Sequence, residues 1–232
     1  MKKRNAAFVG GGVSTVCGLG AYFAETQLAE EFNSFSGASI GSIVAISLAA
    51  GKEPLEILSF LRKNVENFCR PIIGKKFIRE RTDKFLGCIR YKDLLFDCTV
   101  SVTKVGEKTP TLITKRNCDN MTVGEVAALS STLPGLYLPS KMHFEGRNFL
   151  VLDGGMTANP PLVSDAENVI FTFKRVLKKP SNSVWAKRKA FQERKADRVV
   201  KVATVTTTRG DRRDVTAAWT EGVSQVEQGG TL

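Results

Sequence analysis

Within its first fifty or so residues the chain passes twice from a short apolar run, through glycine, into a helical pattern. Asn5 to Val9 reads as a buried strand ending at Gly10-Gly11-Gly12, and Leu19, Phe23, Leu28 and Phe32 mark one apolar side of a helix over Val16 to Phe32. Asn33 to Ser36 is a second short strand. Gly37-Ala38-Ser39-Ile40-Gly41 follows it, and Ile40 to Ala50 is an apolar helix closed by Gly51. Two strand–turn–helix units in succession predict parallel strands in an α/β sheet, because parallel neighbours need a crossover of helix length.

The rest of the chain adds strands and helices without any repeat. Glu53-Pro54 opens a third helix, which Pro71 follows. Thr99 to Val105 and Leu112 to Thr114 read as strands joined by a Gly106-Glu107-Lys108 turn. Thr122 and Glu125 form a capping box for a helix reaching about Thr132, before Pro134. Asn148 to Leu152, Val169 to Phe173 and Val199 to Val205 are further strands, and Thr216 to Gln228 is a terminal helix. At 232 residues this reads as one domain over 1–232.

Composition narrows the setting. Five scattered cysteines lack metal-ligand or redox spacing, which predicts reduced thiols in the cytoplasm and no metal site. The basic start followed by Ala6 to Cys17 imitates a signal peptide, but three glycines interrupt its apolar region, so secretion is not expected. No run reaches the roughly 18 apolar residues of a membrane span. The net charge of +11 is concentrated: Lys174 to Lys201 holds eleven Lys or Arg against Glu193 and Asp197, with Trp185 and Phe191 interleaved. Such a segment suits an anionic membrane surface. Nucleic acid rewards the same charge, and a solvated helical excursion with no partner is the plainer alternative.

Three glycine-rich segments carry the chemistry. In Gly37-Ala38-Ser39-Ile40-Gly41 a serine sits where strand turns sharply into helix, a turn that lifts its hydroxyl from the sheet. Gly37 and Gly41 remove side chains that would clash there, and the helix behind Ser39 favours negative charge at its start. Asp153 ends the Asn148–Leu152 strand, with Gly154-Gly155 bending the backbone behind it. Gly10, Gly11 and Gly12 expose amides able to bind an oxyanion, joined by the amide of Ile40. A dinucleotide fingerprint fails at Thr15, and no P-loop lysine follows. The single histidine, His143, precedes Asp153 and reads as a strand residue before the Gly146 turn, so a triad in that order would need an earlier acid such as Asp119. A Ser39–Asp153 dyad is the expected nucleophile and base, requiring no cofactor.

These segments, with their flanks, resemble the patatin-like phospholipases over roughly residues 5 to 173. Ser36 to Ala45 is similar to that family's serine helix, Val126 to Gly135 to the helix before its aspartate, and Asn159-Pro160-Pro161 to the Asn-x-Pro after it. The resemblance implies a three-layer α/β/α sandwich around a mainly parallel sheet. It implies phospholipase-type ester hydrolysis through a covalent acyl-serine, on phospholipid or another acyl lipid. One departure stands out: Ser14 and Thr15 occupy positions where the family usually carries Arg or Lys, then Gly. A protein that kept the fold and binds lipid without hydrolysing it is the alternative reading. The basic region 174–232 lies outside the resemblance. The expected setting is cytoplasmic, with peripheral attachment to membrane.

Overall fold

The computed structural model describes residues 3–27, 32–118, 120–175, 184–204 and 212–227. Its frame is one sheet with strands in the order β5-β6-β3-β2-β1-β7-β8, and β4 paired to β3 off that path. The strands are β1 (Arg4–Phe8), β2 (Ser34–Gly37), β3 (Asp97–Lys104), β4 (Thr111–Thr114), β5 (Ser140–Phe144), β6 (Arg147–Leu152), β7 (Glu167–Arg175) and β8 (Arg198–Thr204). The run β3-β2-β1-β7-β8 is parallel throughout, whereas β4, β6 and the hairpin strand β5 join antiparallel. The sheet is therefore mainly parallel, as expected.

Helices flank it: α1 (Thr15–Gln27), α2 (Ile40–Ala49), α3 (Pro54–Phe68), α4 (Gly74–Leu86), α5 (Val123–Ser130), α6 (Val184–Glu193) and α7 (Arg212–Glu227). Right-handed crossovers put α1 and α2 on one face and α6, between β7 and β8, on the other. Both faces of the sheet are thus covered, which is why β1 runs as consecutive apolar residues after Asn5: Ala6, Ala7 and Phe8 are wholly buried. α2 has no polar face, and every residue from Gly41 to Ala49 is buried.

Three differences from the sequence reading have physical causes. α4 was not anticipated, because Gly74–Leu86 is rich in charge and buries only a narrow stripe, Ile78, Thr82 and Leu86, beside Gly74. α5 ends at Ser130, two residues before the expected Thr132, where Ser131 closes the last turn. The terminal helix starts earlier than Thr216, and its Gly222 meets Gly20 of α1 so closely that a Cβ on either would strike the other helix's backbone. The end of the first helix beyond Gln27, Val205, Gln228, Asp119 and the Trp185 side chain lie outside the described residues.

Candidate active site

The site is built where β1 and β2 end. In a parallel sheet, the turns leaving adjacent strands at their C-terminal ends converge on one edge. Here those turns are Gly10–Gly12 after β1 and Ala38–Ser39 after β2, whose strands pair Phe8 with Gly37. Ser39 takes φ 55° and ψ −133°, a conformation costing a serine about 1–3 kcal/mol. The turn is held by Gly41 N–H to Ala38 O and Ser42 N–H to Ser39 O, both 2.9 Å. Gly37 and Gly41 allow it, because a Cβ on Gly37 would overlap the Gly41 carbonyl and one on Gly41 the Phe8 carbonyl. Ser39 remains half-exposed while Ala38 is buried.

The glycine loop lies against this serine. A side chain on Gly10 would come within 2.7 Å of Ser39 Cβ, so only glycine lets the two segments meet. The Gly10 N–H is already engaged, donating to Asn159 Oδ1 at 2.6 Å, and Asn159 Nδ2 returns a weaker bond to Gly10 O at 3.4 Å. The side chain of Asn159 therefore clamps the loop, a contribution beyond its place in the Asn-Pro-Pro run. Gly12, at φ 64° and exposed, presents an amide with no acceptor among the described residues. Ile40 opens α2, so its N–H has no partner within the helix. Ser14 and Thr15 are both buried, and Thr15 Oγ1 donates to Val9 O at 3.0 Å, closing the loop where a basic residue and glycine were the family expectation.

Asp153 is wholly buried, at the end of β6. Its backbone is fixed on both sides: its N–H donates to Thr132 O at 2.9 Å, and Thr103 Oγ1 donates to its carbonyl at 2.8 Å. Its carboxylate Oδ1 accepts from Gly155 N–H at 2.9 Å. Gly154 lies so close to the Ser101 carbonyl that any Cβ would overlap it. That same carbonyl accepts from Ser130 Oγ at 2.8 Å, and Ser130 Oγ in turn accepts from Ser39 N–H at 2.9 Å. Ser39 and the Asp153-Gly154 turn are thus referred to one residue of β3. Sequence reasoning passed over Ser101 and Ser130. Their only signal was a serine between two valines of a strand and another at the end of an apolar helix.

Other expected features lie elsewhere. His143 stands on β5, exposed, with Nδ1 3.0 Å from Asn148 Oδ1 across the hairpin, in keeping with a strand residue. Among the described residues no three His, Cys, Asp or Glu side chains gather as a metal group. In the basic segment, Lys201 and Lys189 face Glu193 at 2.9 and 3.8 Å, and Arg198 pairs with Glu25 at 2.8 Å. Lys189 also stands 4.3 Å from the Phe173 ring centre, and that ring fills the space beside Gly11. Part of the segment's charge is therefore spent inside the fold.

A narrow apolar slot of about 40 Å³ adjoins the loop, lined by Gly12, Val13, Ile40, Val44, Leu61 and Phe68 among others. Val215 of α7 closes it, a contribution from the region outside the sequence resemblance.

Among solved structures the chain is similar to VipD from Legionella pneumophila, at 14% identity and a TM-score of 0.62, covering 98% of this chain and 66% of that one. It is also similar to a structure of the heterodimeric ExoU–SpcU complex from the type III secretion system of Pseudomonas aeruginosa, at 14% identity and a TM-score of 0.53, covering 98% of this chain and 51% of that one. The chain thus spans between about half and 66% of the length of these neighbours, and the likeness shows the fold. No curated protein sequence matches it. The family model for patatin-like phospholipases matches residues 7–165, which takes in all three glycine-rich segments. The chain belongs to the patatin-like phospholipase family.

Proposed function

We propose that this chain is a lipid acyl hydrolase working through a Ser39–Asp153 dyad. The observation that carries the reading is the left-handed backbone of Ser39, at φ 55°, on a strand-to-helix turn pressed against the Gly10 loop. Strain of this kind persists where surrounding structure overdetermines it, and a nucleophile elbow is such a place.

The chemistry follows from the groups present. Ser39 Oγ attacks the ester carbonyl carbon while its proton passes to the Asp153 carboxylate. The carbonyl oxygen becomes an oxyanion facing the amides of Gly12 and Ile40, with Gly11 beside them; each such donor is typically worth about 2.7–4 kcal/mol. Gly10 acts through contact with Ser39 rather than as a donor. Collapse expels the alcohol, which takes the proton from Asp153, and leaves an acyl-serine. Water then attacks the acyl carbon with Asp153 again as base, releasing the fatty acid and restoring Ser39.

Phospholipid or another acyl lipid is the substrate, met as a peripheral protein at a membrane in the cytoplasm, by one domain spanning the chain. The apolar slot beside Gly12 and Ile40 marks where an acyl chain starts. In the stretch 174–201, Lys187 and Arg194 are exposed and available to anionic headgroups. Labelling by a fluorophosphonate probe tests the site. Wild type should be labelled and hydrolyse short esters, and Ser39→Ala should do neither while keeping its fold. An unlabelled, inactive but lipid-binding wild type would mean a protein that kept only the fold.

A further inference from the structure

Two loops on the site's side of the molecule expose apolar side chains that the fold does not use. Ile72 is 73% exposed and Leu138 72%, with Ile73 and Leu133 also at the surface. Ile72 also takes φ 66°, a left-handed conformation unfavourable for a β-branched residue. An isoleucine both strained and turned to solvent contributes nothing to folding at that position.

The two loops are one surface. Ile72 N–H donates to Leu136 O at 3.1 Å, Tyr137 OH donates to the Phe68 carbonyl, and Lys75 Nζ donates to Ser140 Oγ at 2.9 Å. Each loop also leads to the candidate active site. The first leaves α3 at Phe68 and Cys69, which line the apolar slot beside Gly12 and Ile40. The second starts at Thr132, whose carbonyl fixes the Asp153 amide.

Charge around the surface is mainly positive. Residues 67–79 contain Arg70, Lys75, Lys76 and Arg79 and no acid, and residues 126–144 contain Lys141 and no acid. Beside Ile72 opens a basin of about 1160 Å³ walled by Lys75, Lys76, Arg79, Lys92 and Lys141. Among the described residues, acids near its walls include Glu125, which pairs with Arg79 at 2.7 Å, Glu80, 3.7 Å from Lys76, Asp93 next to Lys92, and Glu145 in the turn after His143. Apolar tips ringed by cations fit an anionic bilayer, where the tips enter the acyl boundary and the ring meets phosphate.

We propose that the 70–76 and 133–141 loops form the docking surface for an anionic phospholipid bilayer, seating the mouth of the Ser39 site on the membrane. The proposal extends the hydrolase reading, but vesicle binding tests it independently of activity. Ile72→Asn is the informative variant, since asparagine tolerates positive φ; paired with Leu138→Ser it removes both tips without touching the site. Co-sedimentation with phosphatidylserine-containing vesicles should fall at least about tenfold for the double variant, given the apolar area two such side chains bury. Its melting temperature should hold or rise, and turnover of a short soluble ester should be unchanged. Lys141→Glu should weaken binding at low salt and matter little at high salt. Vesicle binding equal to wild type in both variants would overturn the proposal and leave the hydrolase reading standing. Dimerisation of wild type lost in the double variant, with vesicle binding retained, would assign the face to a second copy instead. Wild type that binds vesicles through these tips yet hydrolyses no ester would sustain the docking surface and refute the hydrolase.

Discussion

Ser130 Oγ accepts a hydrogen bond from the Ser39 amide and donates one to Ser101 O, at 2.9 and 2.8 Å. The strained turn is therefore anchored by a hydroxyl from α5 rather than by backbone alone. Ser130→Ala leaves the part-buried Ser39 N–H without this partner, a loss toward the low end of the about 1–3 kcal/mol that an unsatisfied buried donor costs. Denaturant melts should show a loss of that size. Turnover of a soluble ester should fall with little change in KM, because the turn loses definition while the slot is intact. Unchanged kcat with lowered stability would reduce Ser130 to a packing role.

Asp153→Asn should lower kcat by two or more orders of magnitude, as is typical for loss of a positioned base. His143→Gln should retain most activity, since His143 bonds Asn148 at the surface. Steady-state kinetics on both variants separate dyad from triad. A severe His143→Gln defect would refute the dyad.

Gly10→Ala should damage activity and stability together, because its Cβ would stand 2.7 Å from Ser39 Cβ and 2.9 Å from Ala38 O. The neighbouring backbone must shift to admit it, and the loop amides shift with it. Asn159→Ala should act more gently on the fold but release the Gly10 amide. A kcat loss larger than the KM change would place the clamp in oxyanion positioning. Full activity in Asn159→Ala would make the clamp structural.

Reversing Lys187 and Arg194 to Glu should weaken binding to anionic vesicles at low salt by about 1 kcal/mol or more per residue. Soluble-ester turnover should not change. Lys189 is a poor choice for such a test, since its ammonium lies over Phe173, which packs at Gly11. Binding that prefers random DNA over vesicles would assign the segment to nucleic acid.

The sequence by itself determined the two strand–turn–helix units of the first fifty residues, the three glycine-rich segments and the family. Each rests on local rules: apolar runs of strand length, glycine where a turn needs it, and serine or aspartate at a strand end. His143 was legible as a strand residue for the same reason. Tertiary structure decided what is non-local. Nothing near Ser130 in the chain points to Ser39, and nothing near Asn159 points to Gly10, because those bonds join residues 91 and 149 positions apart. α4 was hidden because its narrow buried stripe becomes apolar surface only when α5 covers it. The exposure of Ile72 beside Leu138 is of the same kind: sequence shows two hydrophobic residues, and only packing shows that neither is inside.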